Sequence, residues 1–409
     1  MGVELDEIFN AFTQNNIFQD KSVLQSNYNP EAIPHRDNQI KQIASILAPT
    51  LRLDKPSNLF IYGKTGTGKT LSVQYVCNQL LKHSKEKNNG FDELAFYYIN
   101  CKLKKVADTE YRILAELMRQ LGSPVPPTGL PTDQIYQKFV EAIDGKRRLV
   151  VLLLDEIDQA VKKIDDGFLY NLIRLNSELK RSQLSIVGIS NDLVFLDNID
   201  PRVKSSLSEE EIVFPPYNAV QIQDILRERA KRAFKEGTLS EGVVEKCSAY
   251  AAREHGDARR ALDLLRISGE LAERERSKSV SISHIDMAKE KIEKDKILDI
   301  ISTQPKQFQL VLLSIISLME GKKAVKENGS VFTGDIYSTY HHFCTQTSTE
   351  SLTQRRIGDI ISEFDMLGII NARVVSKGRY GRTKEIKLAI PPHLIGKAKG
   401  IVKDSLGLR

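Results

Sequence analysis

Eight residues, Gly63-Lys64-Thr65-Gly66-Thr67-Gly68-Lys69-Thr70, complete the pattern G-x-x-x-x-G-K-[ST]. Its glycines let backbone N–H groups converge on phosphate oxygens, and a helix opening at Lys69 adds partial positive charge. The Lys69 ammonium reaches β- and γ-phosphates in this chemistry, and the Thr70 hydroxyl ligates Mg²⁺. A second constellation follows the aliphatic run Leu149–Leu154, which ends in Asp155-Glu156-Ile157-Asp158. A strand delivering two adjacent carboxylates to its tip suits metal-assisted phosphoryl transfer: Asp155 holds the metal through water, and Glu156 orients and polarises the attacking water. The same tetrad occurs in DExD-box helicases, so alone it does not choose a class. Asp158, past the strand, reads as a helix-start residue. A third apolar run, Leu184–Ile189, ends in Ser190-Asn191-Asp192, where the Asn191 amide can hold a water against a γ-phosphate. Arg202, in Asp200-Pro201-Arg202, and Arg259, two residues after Asp257, carry planar, permanently ionised groups able to neutralise such a phosphate, although taken singly each reads equally as a surface arginine.

These residues need a scaffold of strands and helices. Asn58–Tyr62, Leu94–Ile99, Leu149–Leu154, Leu184–Ile189 and Glu211–Phe214 are nearly continuous apolar runs, as expected for strands buried on both faces of a parallel sheet. Val73, Val76, Cys77, Leu80 and Leu81 form one helical stripe after Lys69. Strand–helix alternation predicts a doubly wound α/β domain over residues 1–216. Residues 217–303 read as four helices without a strand. Within them Gly256 is a natural helix stop and Asp257 a natural N-cap. From 304 to 409 the pattern runs helix (Phe308–Met319), helix (Gly334–Cys344), helix (Thr353–Leu367), then strands Ile369–Val375 and Lys384–Ile390. That is the order of a winged helix.

The 409 residues are 41% hydrophobic and 27% charged, an ordinary globular composition. Six residues is the longest strictly aliphatic run, far short of the ~20 a membrane helix requires, so no spanning segment is expected. The acidic start MGVELDEIFN lacks the character of a signal peptide. Four widely spaced cysteines predict neither a disulfide framework nor a zinc knuckle, and point to a reducing, cytoplasmic setting. His341, His342 and Cys344 share one predicted helix without a second metal half-site, and are expected to be core or surface residues. Charge is uneven. Residues 296–409 hold 17 Lys and Arg against 10 Asp and Glu, a net +7, whereas the preceding residues sum to −1. Such asymmetry suggests a polyanion-binding module on a neutral body. In that module Arg355 and Arg356 sit at the first turn of a helix suited to a major groove. Lys377, Arg379, Tyr380, Arg382 and Lys384 crowd a hairpin tip whose arginines suit a narrow minor groove and whose lysines suit phosphates.

The ordered set GKTGTGKT, DEID, ISN, DPRVKSS and GDARRALDLL, followed by LTQRR and GRYGRTKEI, resembles an AAA+ ATPase of the archaeal replication-initiator family. That family is related to the origin recognition complex and to the eukaryotic helicase-loading cell division control protein. The likeness begins at Tyr28-Asn29-Pro30 and Ile33-Pro34-His35-Arg36, and includes Ile99-Asn100-Cys101-Lys102. It implies an AAA+ parallel-sheet domain, a helical lid and a C-terminal winged helix. Tyr28, Pro30, Ile33, Arg36, Leu71 and Tyr217 would join the phosphate loop in holding ATP or ADP with Mg²⁺. Asn191 corresponds to sensor 1, Arg202 to an arginine finger serving a neighbouring protomer, and Arg259 (rather than Arg260) to sensor 2. An inserted helix within Lys102–Leu121 would press on DNA through Lys102, Lys104 and Arg112. The implied activity is weak ATP hydrolysis acting as a switch. Implied partners are double-stranded origin DNA, the replicative helicase and other initiator protomers or paralogues, with a nucleoid-associated location. A clamp-loader-like subunit working on a protein ring is the alternative. A basic winged helix is foreign to that alternative, as is PRVKSSLSEE where a Ser-Arg-Cys finger belongs. A processive helicase would need a second motor domain, and no repeat of the phosphate motifs supplies one.

Overall fold

The computed structural model describes residues 17–87, 93–102, 109–126, 128–207, 209–321, 330–376 and 382–408. The chain divides into two compact units, residues 1–285 and 286–409.

In the first unit the elements run α1 (Asp37–Leu47), β1 (Asn58–Tyr62), α2 (Lys69–Lys87), β2 (Glu93–Asn100), α3 (Glu110–Gln120), α4 (Thr132–Asp144), β3 (Arg148–Asp155), α5 (Ile157–Ile164), α6 (Gly167–Arg174), β4 (Gln183–Ser190), α7 (Pro201–Leu207) and β5 (Glu209–Val213). The strands form one parallel sheet in the order β2-β3-β4-β1-β5. Alternate side chains of the central strands enter separate cores: Leu149, Val151 and Leu153 pack with the β1–α1–α2 side, while Val150, Leu152 and Leu154 pack with α3, α4 and α6. Burial on both faces is why these strands read as unbroken apolar runs. The predicted strands are present, with small shifts. β5 begins at Glu209 instead of Glu211, because as an edge strand it tolerates charges that no central strand would.

Four helices follow: α8 (Ala219–Ala233), α9 (Val243–Arg253), α10 (Ala258–Arg274) and α11 (Ile282–Ser302). Asp257 caps α10 through bonds from the backbone N–H groups of Arg259 and Arg260, at 2.9 and 3.2 Å. α9 closes one residue earlier than the sequence suggests, since His255 already adopts the left-handed conformation. Gly256 repeats it where a Cβ would lie 2.4 Å from the Tyr217 carbonyl oxygen, so only glycine fits. The boundary between the two compact units falls inside α11, after Ile285.

The second unit holds α12 (Lys306–Glu320), β6 (Val331–Phe332), α13 (Thr333–Gln346), α14 (Gln354–Met366), β7 (Ile370–Ser376), β8 (Arg382–Leu388) and α15 (Pro392–Leu406). Its antiparallel sheet has the order β6-β8-β7. The two-residue β6 and the terminal α15 are additional to the elements the sequence pattern predicts. α15 buries Leu394, Ala398, Val402 and Leu406 at helical spacing, but Gly396 and Gly400 dilute the pattern. Phe364 of α14 is fully buried and meets Phe308 edge-on with ring centroids 5.7 Å apart. Phe364→Ala is expected to destabilise this unit by ~3–5 kcal/mol, read as a lower denaturant midpoint; an unchanged midpoint would place the ring outside the core.

Candidate nucleotide and DNA sites

Parallel register sets the phosphate site. β3 pairs with β4 so that Asp155 lies opposite Ile189, and β4 pairs with β1 so that Ser190 lies opposite Tyr62. Three strand tips therefore converge where the phosphate loop turns into α2. The Lys69 ammonium donates to the carbonyls of Gly63 (2.7 Å) and Lys64 (2.8 Å) and to Asn191 Oδ1 (2.8 Å). Burial lowers its pKa to about 8; the Asp155 charge opposes that shift and the Arg259 charge reinforces it. Thr67 Oγ1 also donates to the Lys64 carbonyl, at 2.8 Å.

Thr70 Oγ1 donates to Asp155 Oδ2 at 3.0 Å. A hydroxyl beside a carboxylate is a hard-oxygen pair, the donor chemistry Mg²⁺ accepts when phosphate and water oxygens supply the other ligands. The two residues thus fit a magnesium–nucleotide site. Glu156 follows with a left-handed backbone (φ 53°, ψ 44°), a strained conformation of the kind that gathers at functional sites. Its carboxylate lies 3.6 Å from the Lys102 ammonium. Asp158 stands in the first turn of α5, as its position past the strand implies, yet it also does something unforeseen. Although only 3% exposed, its Oδ1 accepts from Ser190 Oγ (3.2 Å) and the Asn191 N–H (3.4 Å), tying α5 to the tip of β4.

The lid helix α10 meets the loop directly. Thr65 Oγ1 donates to Asp257 Oδ2 at 3.1 Å, and the Ala258 N–H to the Gly66 carbonyl at 3.3 Å. Gly66 has φ +68°, and a Cβ there would stand 1.7 Å from the Asp257 carboxylate. Beside this contact opens a pocket lined by Tyr28, Pro30, Ile33, Leu71, Tyr217 and Leu262, with Gly66, Gly68 and Arg259 at its phosphate end. Tyr28, Pro30, Ile33, Leu71, Tyr217 and Arg259 thereby line one pocket. Arg260, by contrast, is ion-paired with Glu254.

Two assigned residues stand elsewhere. Arg36 does not line the pocket: its buried guanidinium donates to the carbonyls of Thr67 (2.8 Å) and Pro215 (2.6 Å) and stacks on Tyr217 at 3.8 Å. It braces the loop from behind. Arg202 lies on α7, 88% exposed, in a two-point ion pair with Asp200 at 2.9 and 3.1 Å, and it is not part of this chain's own pocket. Sequence reasoning missed Arg229, whose guanidinium covers the Tyr28 ring at 4.4 Å on the pocket wall. The available signal was a charge on the apolar stripe Ile222-Ile225-Leu226-Arg229 of α8.

In the second unit Arg355 and Arg356 are exposed in the first turn of α14, with Arg356 3.7 Å from Asp359. Lys384 is not turned outward toward phosphates as its place on the wing suggests. Its ammonium folds onto α14, donating to the Gly358 carbonyl (3.0 Å) and Ser362 Oγ (2.5 Å). It fastens the wing strand to the helix, because those two acceptors lie within reach of a lysine stem on β8. Lys377, Arg379 and Tyr380 lie outside the described residues, as does the side chain of Arg382 and the whole of Lys104. Arg112 lies in the first turn of α3, its N–H capped by Thr109.

Three family models match: an AAA domain over residues 52–193, a Cdc6 AAA+ ATPase-type lid domain over 223–290 and a CDC6 C-terminal winged helix domain over 299–398. The chain is 51% identical over 398 residues to the ORC1-type DNA replication protein of Thermococcus onnurineus, covering 96% of this chain and 93% of that one. It belongs to the ORC1-type family of replication initiators. ORC1-type DNA replication protein 1 of Methanosarcina mazei is 50% identical over 388 residues, 95% of this chain and 91% of that one. Among solved structures, the Aeropyrum pernix ORC1 protein in complex with DNA matches with a TM-score of 0.82 and 41% identity, covering 96% of this chain and 98% of that one. A clamp loader would not bring an initiator's lid and winged helix together, so membership of the ORC1-type family displaces that alternative. No helix among the described residues is long and apolar enough to cross a membrane.

Proposed function

We propose that this chain is an ATP-dependent replication initiator that binds double-stranded origin DNA, helps recruit or load the replicative helicase, and hydrolyses ATP slowly as a switch. The observation carrying this reading is the match over 96% of the chain to an ORC1 protein solved with DNA. The site geometry supports the nucleotide half. The phosphate loop and Lys69 cradle the triphosphate, and the base enters the pocket walled by Tyr28, Tyr217 and Leu262. Thr70 and Asp155 hold Mg²⁺, which neutralises charge on the phosphates. Glu156 polarises the attacking water while Asn191 positions it, and Arg259 senses the γ-phosphate from the lid. Since Asp257 and Ala258 touch the loop itself, nucleotide state is felt by α10 at once. Arg202, displayed on the surface, reaches the nucleotide of a neighbouring protomer. The basic winged helix supports the DNA half through Arg355, Arg356, Lys377, Arg379, Tyr380 and Arg382, with Lys102, Lys104 and Arg112 adding contacts from the first unit. The protein works at the nucleoid in the cytoplasm.

Glu156→Gln is expected to leave ADP affinity intact and to cut phosphate release by ~10²-fold or more; undiminished release would remove Glu156 from the reaction. The whole reading is tested by nuclease footprinting across genomic DNA. Protection at discrete sites is expected, and protection proportional to DNA length alone would overturn the initiator reading.

A further inference from the structure

One hydroxyl in the phosphate site has no role in the scheme above. Tyr98 of β2 donates its Oη–H to Asp155 Oδ2 at 2.8 Å, the same oxygen that receives the Thr70 hydroxyl. The other Asp155 oxygen accepts the Glu156 N–H at 3.0 Å. Register explains the approach. Tyr98 lies opposite Leu153, two residues before Asp155, so phenol and carboxylate share one face of the sheet. Tyr98 is itself anchored, its carbonyl accepting from Gln120 Nε2 of α3 at 3.1 Å.

We infer that Tyr98 is a positioning residue for the metal carboxylate, setting how tightly the site holds magnesium with its nucleotide. The inference rests on the nucleotide reading proposed above. Thr70 and Asp155 would hold Mg²⁺, and the Thr70 hydroxyl, binding through its oxygen, would keep a proton to donate to Asp155. Tyr98 is the second side-chain donor to that same oxygen, from a neighbouring strand, and holds the carboxylate in its orientation. Partners of this kind, one step behind a ligand, typically change metal affinity by ~10–100-fold when removed.

The test compares wild type with Tyr98→Phe, which keeps the ring and deletes the hydroxyl. ADP is titrated calorimetrically in EDTA, then MgCl₂ is titrated into the saturated ADP complex. Tyr98→Phe is expected to raise the half-saturating Mg²⁺ concentration by about tenfold while ADP affinity in EDTA stays unchanged. Tyr97→Phe, whose side chain leaves the opposite face of β2, is expected to titrate as wild type. An unshifted Mg²⁺ titration overturns the proposal, as does an equal loss of affinity in EDTA, which would mean general damage to the loop. If wild-type protein takes up no ADP at all, it is the nucleotide reading beneath the proposal that falls.

Discussion

Lys69→Ala is expected to weaken ADP and ATP binding by about 100-fold or more, close to 3 kcal/mol, measured by calorimetry. Its ammonium is buried at the loop, already oriented by two loop carbonyls and Asn191. Retained affinity would empty the phosphate site of its meaning. The same amine carries a pH signature. Burial brings its pKa to about 8 in the free protein, so it is charged below that pH and increasingly neutral above it. Phosphates favour the charged form and raise that pKa on binding, so above pH 8 binding takes up a proton. Affinity must then fall as pH rises past 8, by up to ~10-fold per unit. Titrations at pH 7, 8 and 9 check the sign; a flat profile would show that nucleotide does not meet this amine.

Combined Arg379→Ala and Arg382→Ala is expected to lower duplex affinity by ~100-fold, read by fluorescence anisotropy. The slope of log affinity against log salt should shrink by about two, one for each cation withdrawn from the DNA. Unchanged affinity and slope would remove the wing from the interface. Lys384→Ala supplies the contrast. Its ammonium is spent on Gly358 and Ser362, so its loss should lower the stability of the second unit and leave the salt slope nearly unchanged.

Much of the fold was legible because the central strands announce themselves. β1, β3 and β4 are covered on both faces, so nearly every side chain is apolar, and each run stops where a polar tip enters the site. Edge and terminal elements were harder. β5 carries three glutamates on an open edge, β6 is two residues long, and α15 mixes its apolar stripe with two glycines. Arg36 and Lys384 show the limit for individual residues. Each is a cation placed beside a polyanion site by sequence, and each is satisfied within the protein by carbonyl or hydroxyl oxygens.

The sequence by itself determined the chemistry of the phosphate loop, the paired carboxylates, the Asn191 tip, the Asp257 cap and the basic second unit. Each is a local pattern, written in adjacent residues or one helical period. Only the tertiary structure decided that Tyr98 and Thr70 share one Asp155 oxygen, that Asp158 ties α5 to the tip of β4, that Asp257 rests on Gly66, and that Arg229 covers Tyr28. These partners are 32 to 201 residues apart in the chain. Their meeting depends on strand order and register, which hydrophobic burial of the whole sheet sets and no short stretch of sequence contains.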